Sequence, residues 1–290
     1  MDYKQIVLET IGSIEPADET ALEKAAVRQA ELAKPPGSLN LLENLSVRIA
    51  GMTGSVKNSI ECGCIAVFCA DNGVAEEDVS SAPQSVTMAQ TVNFTRRLTG
   101  VGALSKCFGS DLLIVDMGVR DGIPEELYVR EPFEDDDTHK ILDRRIRPET
   151  GQTDNIAKGP AMTRDEAFQA IAAGIEAAEA IRAKGFDIMG VGEMGIGNTT
   201  TSAALLSAVT GEDAEVTVGR GGGVNDEGFV RKKEIVSNIS AAYRDRGGIR
   251  RRGEMIDALA EMGGFDICAM TGAFLGAAAN RLPVVIDGYI

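Results

Sequence analysis

Tryptophan is absent from the 290 residues, and the remaining aromatics are only 9 Phe and 4 Tyr. A core with so few large rings must be built mainly from Ala, Val, Ile and Leu. Histidine is nearly absent too, His139 being the only one. Ser-His-Asp and Cys-His catalysis would both need it. It stands in the polar stretch from Glu134 to Lys140 and reads as a solvated loop residue. The five cysteines, Cys62, Cys64, Cys69, Cys107 and Cys268, are odd in number and form no C-x-x-C pair. That excludes a secreted disulfide framework and, with one histidine, argues against a zinc site; no metal is expected. Positive charge is scarce: 29 Lys and Arg face 44 Asp and Glu, for a net charge of −15. Nucleic acid and anionic membrane surfaces are therefore poor partners. A small anion is not excluded, because backbone N–H groups can bind one locally. No segment reaches the ~18 apolar residues that span a bilayer. The N-terminal residues Met1 to Gln5 carry no signal-peptide pattern, so the expected location is the cytoplasm.

What is present divides at residue 60. Residues 1–60 read as a helical segment, with Glu19 to Ala33 as one helix. Lys34-Pro35-Pro36-Gly37 stops it, and Ser38 is the expected N-cap of a second helix, Leu39 to Ala50. Over residues 61–290 short apolar runs alternate with helical stretches. The runs are Cys64–Cys69, Leu112–Val115, Phe186–Val191 and Pro283–Ile286. Helices are expected at Val86–Leu98, Arg164–Ala183, Thr199–Val209, Glu227–Ala242, Gly253–Met262 and Ile267–Asn280. Apolar at most positions, the runs read as strands covered on both faces, and the alternation implies a parallel α/β sheet. Residues 120–155 are polar and read as a long surface excursion. The small residues of the last helix, Gly272 and Gly276 among them, predict close packing against the sheet.

Each run ends in a carboxylate and a glycine: Asp71 and Gly73, Asp116 and Gly118, Glu193 and Gly195, Asp287 and Gly288. Turn chemistry explains one such pair. Four in register point to a shared site beyond the C-terminal strand ends, where open α/β sheets bind ligands. The third end, Gly192-Glu193-Met194-Gly195-Ile196-Gly197-Asn198-Thr199-Thr200, has the makings of a phosphate cradle, with Asn198 or Thr199 capping the next helix. It is not a Walker A loop. A G-x-G-x-x-G does occur at Gly190, Gly192 and Gly195, and a nicotinamide-dependent oxidoreductase is the reading it would support. Gly190 falls inside the strand, however, and no acidic strand end follows at the expected ~20 residues. A second glycine cluster, Gly219-Arg220-Gly221-Gly222-Gly223, offers a planar guanidinium for an anion, with Lys232 following in the next helix.

Five segments in order carry a resemblance: Lys34–Leu39, Ala70–Val74, Pro83–Thr87, Gly192–Thr200 and Asp287–Ile290. The chain resembles the nicotinate-nucleotide–dimethylbenzimidazole phosphoribosyltransferases of cobalamin lower-ligand activation. The resemblance implies a three-layer α/β sandwich with a mainly parallel sheet, plus a small helical domain built from the chain ends. It implies a homodimer, or a heterodimer with a homologue, and no organic cofactor. The implied substrates are nicotinate mononucleotide and an aromatic base. By the same resemblance Glu193 is a site carboxylate. Gly195, Gly197, Asn198 and Thr199 hold phosphate and ribose, with Arg220, Gly221, Gly222 and Lys232 as helpers. Ser81 and Gln84 line the base pocket, and Asp71 and Asp287 are further site carboxylates. Two departures stand out. Asn72 replaces the histidine of many members, and no residue here matches the family's C-terminal glutamate, its general base. Either the sequence is truncated, or the chain is a half-site or non-catalytic subunit of a heteromeric, phenol-type enzyme; Glu193 as sole base is the fallback.

Overall fold

The computed structural model describes residues 1–134, 140–248 and 255–290. A six-stranded, all-parallel sheet forms its centre, in the order β3-β4-β2-β1-β5-β6. The strands are β1 (Gly63–Ala70), β2 (Asp111–Gly118), β3 (Tyr128–Val129), β4 (Ile141–Asp143), β5 (Ile188–Met194) and β6 (Val284–Val285). Four match the apolar runs of the sequence. β3 and β4 do not, and they lie in the stretch read as a surface excursion. That expectation is corrected: Ile141 and Leu142 are fully buried beside β2. Two- and three-residue strands are too short to leave a periodic pattern.

Side chains alternate across the sheet and divide the core into two layers. Ala66, Phe68, Leu113, Val115 and Met189 face one side. There α6 (Arg164–Lys184), α10 (Met255–Met262) and α11 (Phe265–Ala279) supply the cover. Val67, Cys69, Leu112 and Ile114 face the other, under α4 (Ser85–Thr95) and α5 (Gly100–Phe108). The result is the expected three-layer sandwich. Cover is incomplete at β5, which is only half-buried for most of its length. A cavity of about 550 Å³ opens there, lined by Ile65, Phe94, Val101, Gly192, Glu193 and Asp287. The close packing expected of α11 against the sheet falls chiefly on a helix: Gly272 meets the Ile171 backbone of α6, where a Cβ would collide with a carbonyl oxygen.

The first helices are α1 (Tyr3–Ser13), α2 (Glu19–Glu31) and α3 (Leu41–Thr53), the last two at the positions expected and α1 an addition. α2 and α3 pack on each other through Ala21, Ala25 and Ala50, while α1 lies on α6 and α11. The N-cap of α3 is Asn40, not Ser38. The two remaining long helices are α7 (Asn198–Thr210) and α9 (Asp226–Asp245), joined through the short α8 (Ala214–Thr217). The expected helix start at Gly253 lies outside the described residues. Among those described, no helix is long and apolar enough to cross a membrane.

Candidate active site

Parallel pairing puts the ends of β1, β2 and β5 side by side. Phe68 of β1 sits opposite Glu193, and Ala70 opposite Gly118. The chain leaving β1 is then held on both sides. The Asp71 N–H donates to the Gly118 carbonyl at 2.9 Å, and the Asn72 N–H to that of Ile196. Thr87, on α4, ties the same corner together: its hydroxyl donates to Asp71 Oδ1 (2.7 Å) and accepts from the Ile196 N–H (3.1 Å). Asp71 Oδ2 accepts from the Arg120 N–H. Burial still wins for Asp71, whose carboxyl is pushed up to about 6.

Gly195 lies against the Ala70 carbonyl and Gly197 against Asn72, so the glycine run is packed tightly onto the end of β1. The residue preceding α7 is Gly197, with φ of +97°, and no side chain caps the helix. The expectation of a cap from Asn198 or Thr199 is corrected. Both side chains are used elsewhere. Asn198 donates to Glu193 Oε2, and Thr199 faces the second glycine cluster. The Asn198 and Thr200 N–H groups donate to the Gly195 (3.2 Å) and Gly197 (2.9 Å) carbonyls within the glycine run itself.

Lys232 of α9 comes to this point. It is 0 % exposed, and its Nζ donates to Thr199 Oγ1 at 2.6 Å. It has no ion pair among the described residues. Burial lowers the ammonium to about 8. Gly221 lies over it, with φ of +54°, and a Cβ there would sit 2.8 Å from Thr199 Oγ1 and 3.5 Å from Lys232 Nζ. Ser81 Oγ donates to the Gly222 carbonyl at 3.1 Å, closing the loop over the same place. A buried cation, a hydroxyl, a helix N-terminus and a close glycine loop together form a cradle with the chemistry to hold an anion.

Next to it lies a polar floor. Gln84 is buried and donates to Gln152 Oε1 (2.7 Å) and the Asn72 carbonyl (3.3 Å), while accepting from Arg120. Thr201 on α7 donates to Asn72 Oδ1 at 3.4 Å. Arg120, Gln152 and Thr87 were not among the residues expected from the sequence, because their partners here lie far from them along the chain.

Of the proposed residues, Asp71, Gln84, Glu193, Gly195, Gly197 and Asn198 meet at the strand ends. Ser81, Thr199, Gly221, Gly222 and Lys232 meet at the cradle. Arg220 is not brought in. It is exposed, donates to the Val224 carbonyl (3.0 Å) and Asp226 (2.6 Å), and stacks on Phe229 at 4.6 Å. Asp287 is exposed at the sheet edge and shares only the β5 cavity with Glu193. Asp116 turns back on its own strand end, accepting from Gly118 N–H, Val119 N–H and Tyr128 OH. For Asp116 the turn explanation suffices. His139 lies outside the described residues. No cluster of His, Cys, Asp or Glu able to hold a metal ion occurs among the described residues.

The family model described as Phosphoribosyltransferase matches residues 14–290. Two relatives named nicotinate-nucleotide–dimethylbenzimidazole phosphoribosyltransferase are those of Clostridium perfringens (strain 13) and Ruminiclostridium cellulolyticum. They are 43% and 44% identical over 97% of this chain, covering 72% and 74% of their own lengths. The chain belongs to the nicotinate-nucleotide–dimethylbenzimidazole phosphoribosyltransferase family. The crystal structure of CobT from Thermus thermophilus superposes with a TM-score of 0.81 at 36% identity, over 93% of this chain and 75% of that one. The phosphoribosyltransferase is thus an enzyme of glycosyl-transfer type, and the match extends over the strand ends and the cradle alike.

Proposed function

We propose that this phosphoribosyltransferase moves the 5-phosphoribosyl group of nicotinate mononucleotide onto a ring nitrogen of a benzimidazole-type base. The products are α-ribazole phosphate and nicotinate. One observation carries the reading of the site: the buried Lys232 ammonium, with the Thr199 hydroxyl as its only partner among the described residues, under the Gly221 loop. A lone buried cation is costly unless an anion completes it. The 5-phosphate of the nucleotide supplies that anion, and the positive end of the α7 dipole adds to its hold.

The chemistry asks little else of the protein. The pyridinium of the nucleotide is a good leaving group. As the incoming nitrogen bonds to C1′, the C1′–N bond to the pyridinium breaks, and its electron pair stays on that nitrogen. The second ring nitrogen of the base must then lose its proton, and Glu193 accepts it. Asn198 holds Glu193 in place, and Gln84 and Ser81 border the space for the flat base. Positioning the two substrates supplies most of the acceleration. Assembly into a homodimer, or into a pair with a homologue, belongs to the same proposal. The exposed side chains of Leu41, Leu42, Leu98 and Phe108 support it, and sedimentation reads it directly.

The test is nicotinate release from nicotinate mononucleotide, with and without 5,6-dimethylbenzimidazole, followed by liquid chromatography. Base-dependent release is expected, and it should drop about 100-fold or more in Glu193→Gln, the scale of general-base loss. Wild-type turnover in that variant would remove Glu193 from the mechanism.

A further inference from the structure

Arg220 stands outside the cradle, yet it closes the glycine loop that lies over it. The Gly223 and Val224 N–H groups both donate to the Arg220 carbonyl, at 3.0 and 3.1 Å. The Arg220 Nη1 donates in turn to the Val224 carbonyl at 3.0 Å. Gly221, Gly222 and Gly223 are thus held in a ring that Arg220 and Val224 close through both backbone and side chain. Gly221 and Gly223 have φ of +54° and +101°, which only glycine adopts readily. Three consecutive glycines have no side chains with which to fix themselves, so the loop depends on what braces it from outside. The Gly221 and Gly222 N–H groups have no acceptor among the described residues, which leaves the loop two donors.

The rest of the Arg220 side chain fastens this ring to α9. Nη2 donates to Asp226 Oδ1 at 2.6 Å, on the first residue of the helix. The guanidinium lies over the Phe229 ring, 4.6 Å from its centroid. Lys233 lies 4.4 Å from the same centroid and pairs with Glu215 of α8. Because α9 also carries Lys232, one arginine sets the loop and the buried ammonium in fixed relation. The fit is close, since a Cβ on Gly221 would come within 2.8 Å of Thr199 Oγ1. From the far side Ser81 holds the Gly222 carbonyl. The ion pair itself is exposed, the Arg220 side chain at 50 % and that of Asp226 at 89 %. Such a pair adds little to stability, so what it supplies is geometry.

We propose that Arg220 is a positioning residue for the nucleotide phosphate: it touches no substrate, and it holds the Gly221–Gly223 loop in place over Lys232 by bridging Val224, Asp226 and Phe229. The phosphate slot is then preformed in the empty protein, and the nucleotide does not have to order the loop as it binds. The inference deepens the phosphate reading of the cradle and rests on it.

The test compares the full chain with Arg220→Met, Arg220→Lys, Asp226→Ala and Lys232→Met. Methionine at 220 keeps an apolar stem over Phe229 but donates to neither Val224 nor Asp226. Amide hydrogen exchange at Gly223 and Val224 should speed up about 10-fold or more in the empty Arg220→Met protein. KM for nicotinate mononucleotide should rise about 10-fold, the net value of a hydrogen bond, with a smaller change in kcat and in KM for the base. Arg220→Lys keeps the charge without the two-pronged grip and should behave like Arg220→Met; full rescue by lysine would overturn the brace. Asp226→Ala decides between bracing and direct contact. It removes a negative charge and releases the guanidinium, so a direct phosphate ligand would grip better and KM would fall. A brace loses its anchor, and KM rises. A merely structural Arg220 would lower the melting temperature and leave exchange in the loop and KM as in the wild type. The exchange measurement needs no ligand, so it decides the brace even where Lys232→Met binds the nucleotide normally, an outcome that would count against the phosphate reading alone.

Discussion

Lys232 is held in the folded chain at the expense of its own hydration, and the proposed phosphate role gives that cost a purpose. The consequence for stability runs opposite to that for binding. Its ammonium falls to about 8 from 10.5 because burial disfavours the charge. Between those two values the unfolded chain binds more protons than the folded one, so the penalty is present at pH 7 and fades as pH rises. Lys232→Met should therefore raise the melting temperature of the unliganded protein by a few degrees at pH 7, because methionine fills the stem without the buried charge. The same variant should weaken nicotinate mononucleotide binding about 10- to 100-fold, the value of a charged hydrogen bond. Calorimetry reads both. A variant that is less stable and binds normally would mean that Lys232 is a structural residue. In the wild type, affinity should decline as pH rises through about 8, since only the ammonium can complete a phosphate.

Thr87 makes the clearest link between elements, since its hydroxyl ties α4 to the ends of both β1 and β5. Thr87→Val keeps the volume but strands Asp71 Oδ1 and the Ile196 N–H. The cost should be about 2 kcal/mol in a urea titration, as for a buried polar pair left unmet. Nucleotide binding should weaken with it, because the Gly195–Gly197 run loses its anchor; unchanged binding at reduced stability would detach the run from the site. How far the sequence speaks depends on this kind of link. The four long strand ends are legible, because buried parallel strands leave apolar runs and their ends leave carboxylates and glycines. Glu193, Asn198, Thr199 and Gly221 could be found that way. Arg120, Gln152 and Thr87 could not, because their partners are distant in sequence. β3 and β4 are too short to register. Arg220 looked like an anion ligand from its glycine-rich setting, and only the fold pairs it with Asp226.

At the scale of the whole molecule, the buried acids and the net charge of −15 push in one direction. Asp71 and Asp116 are raised to about 6 and Asp266 to about 7, each chiefly by burial. A folded carboxyl that holds its proton more tightly than the unfolded one stabilises the fold fully below about pH 4, and that contribution is lost as pH rises through 6 to 7. Glu166 acts in the other direction. Its pairing with Arg147, followed by the Thr163 backbone, holds it down to about 2, so its contribution is present above about pH 4 and is lost as the solution becomes more acid. The two trends cross on the acid side of neutrality. The melting temperature should therefore be highest near pH 5 and lower at pH 8, by roughly 5 °C or more for a chain of this size. Added salt separates the causes. Self-repulsion among surface acids is screened at ~0.5 M salt, while the buried carboxyls are screened much less. Part of the gap between pH 5 and pH 8 should survive in high salt, and Asp266→Asn should narrow that surviving part, because the amide cannot ionise as pH rises. A gap that vanishes entirely in salt would assign the whole effect to the surface and none to the carboxyls behind the site.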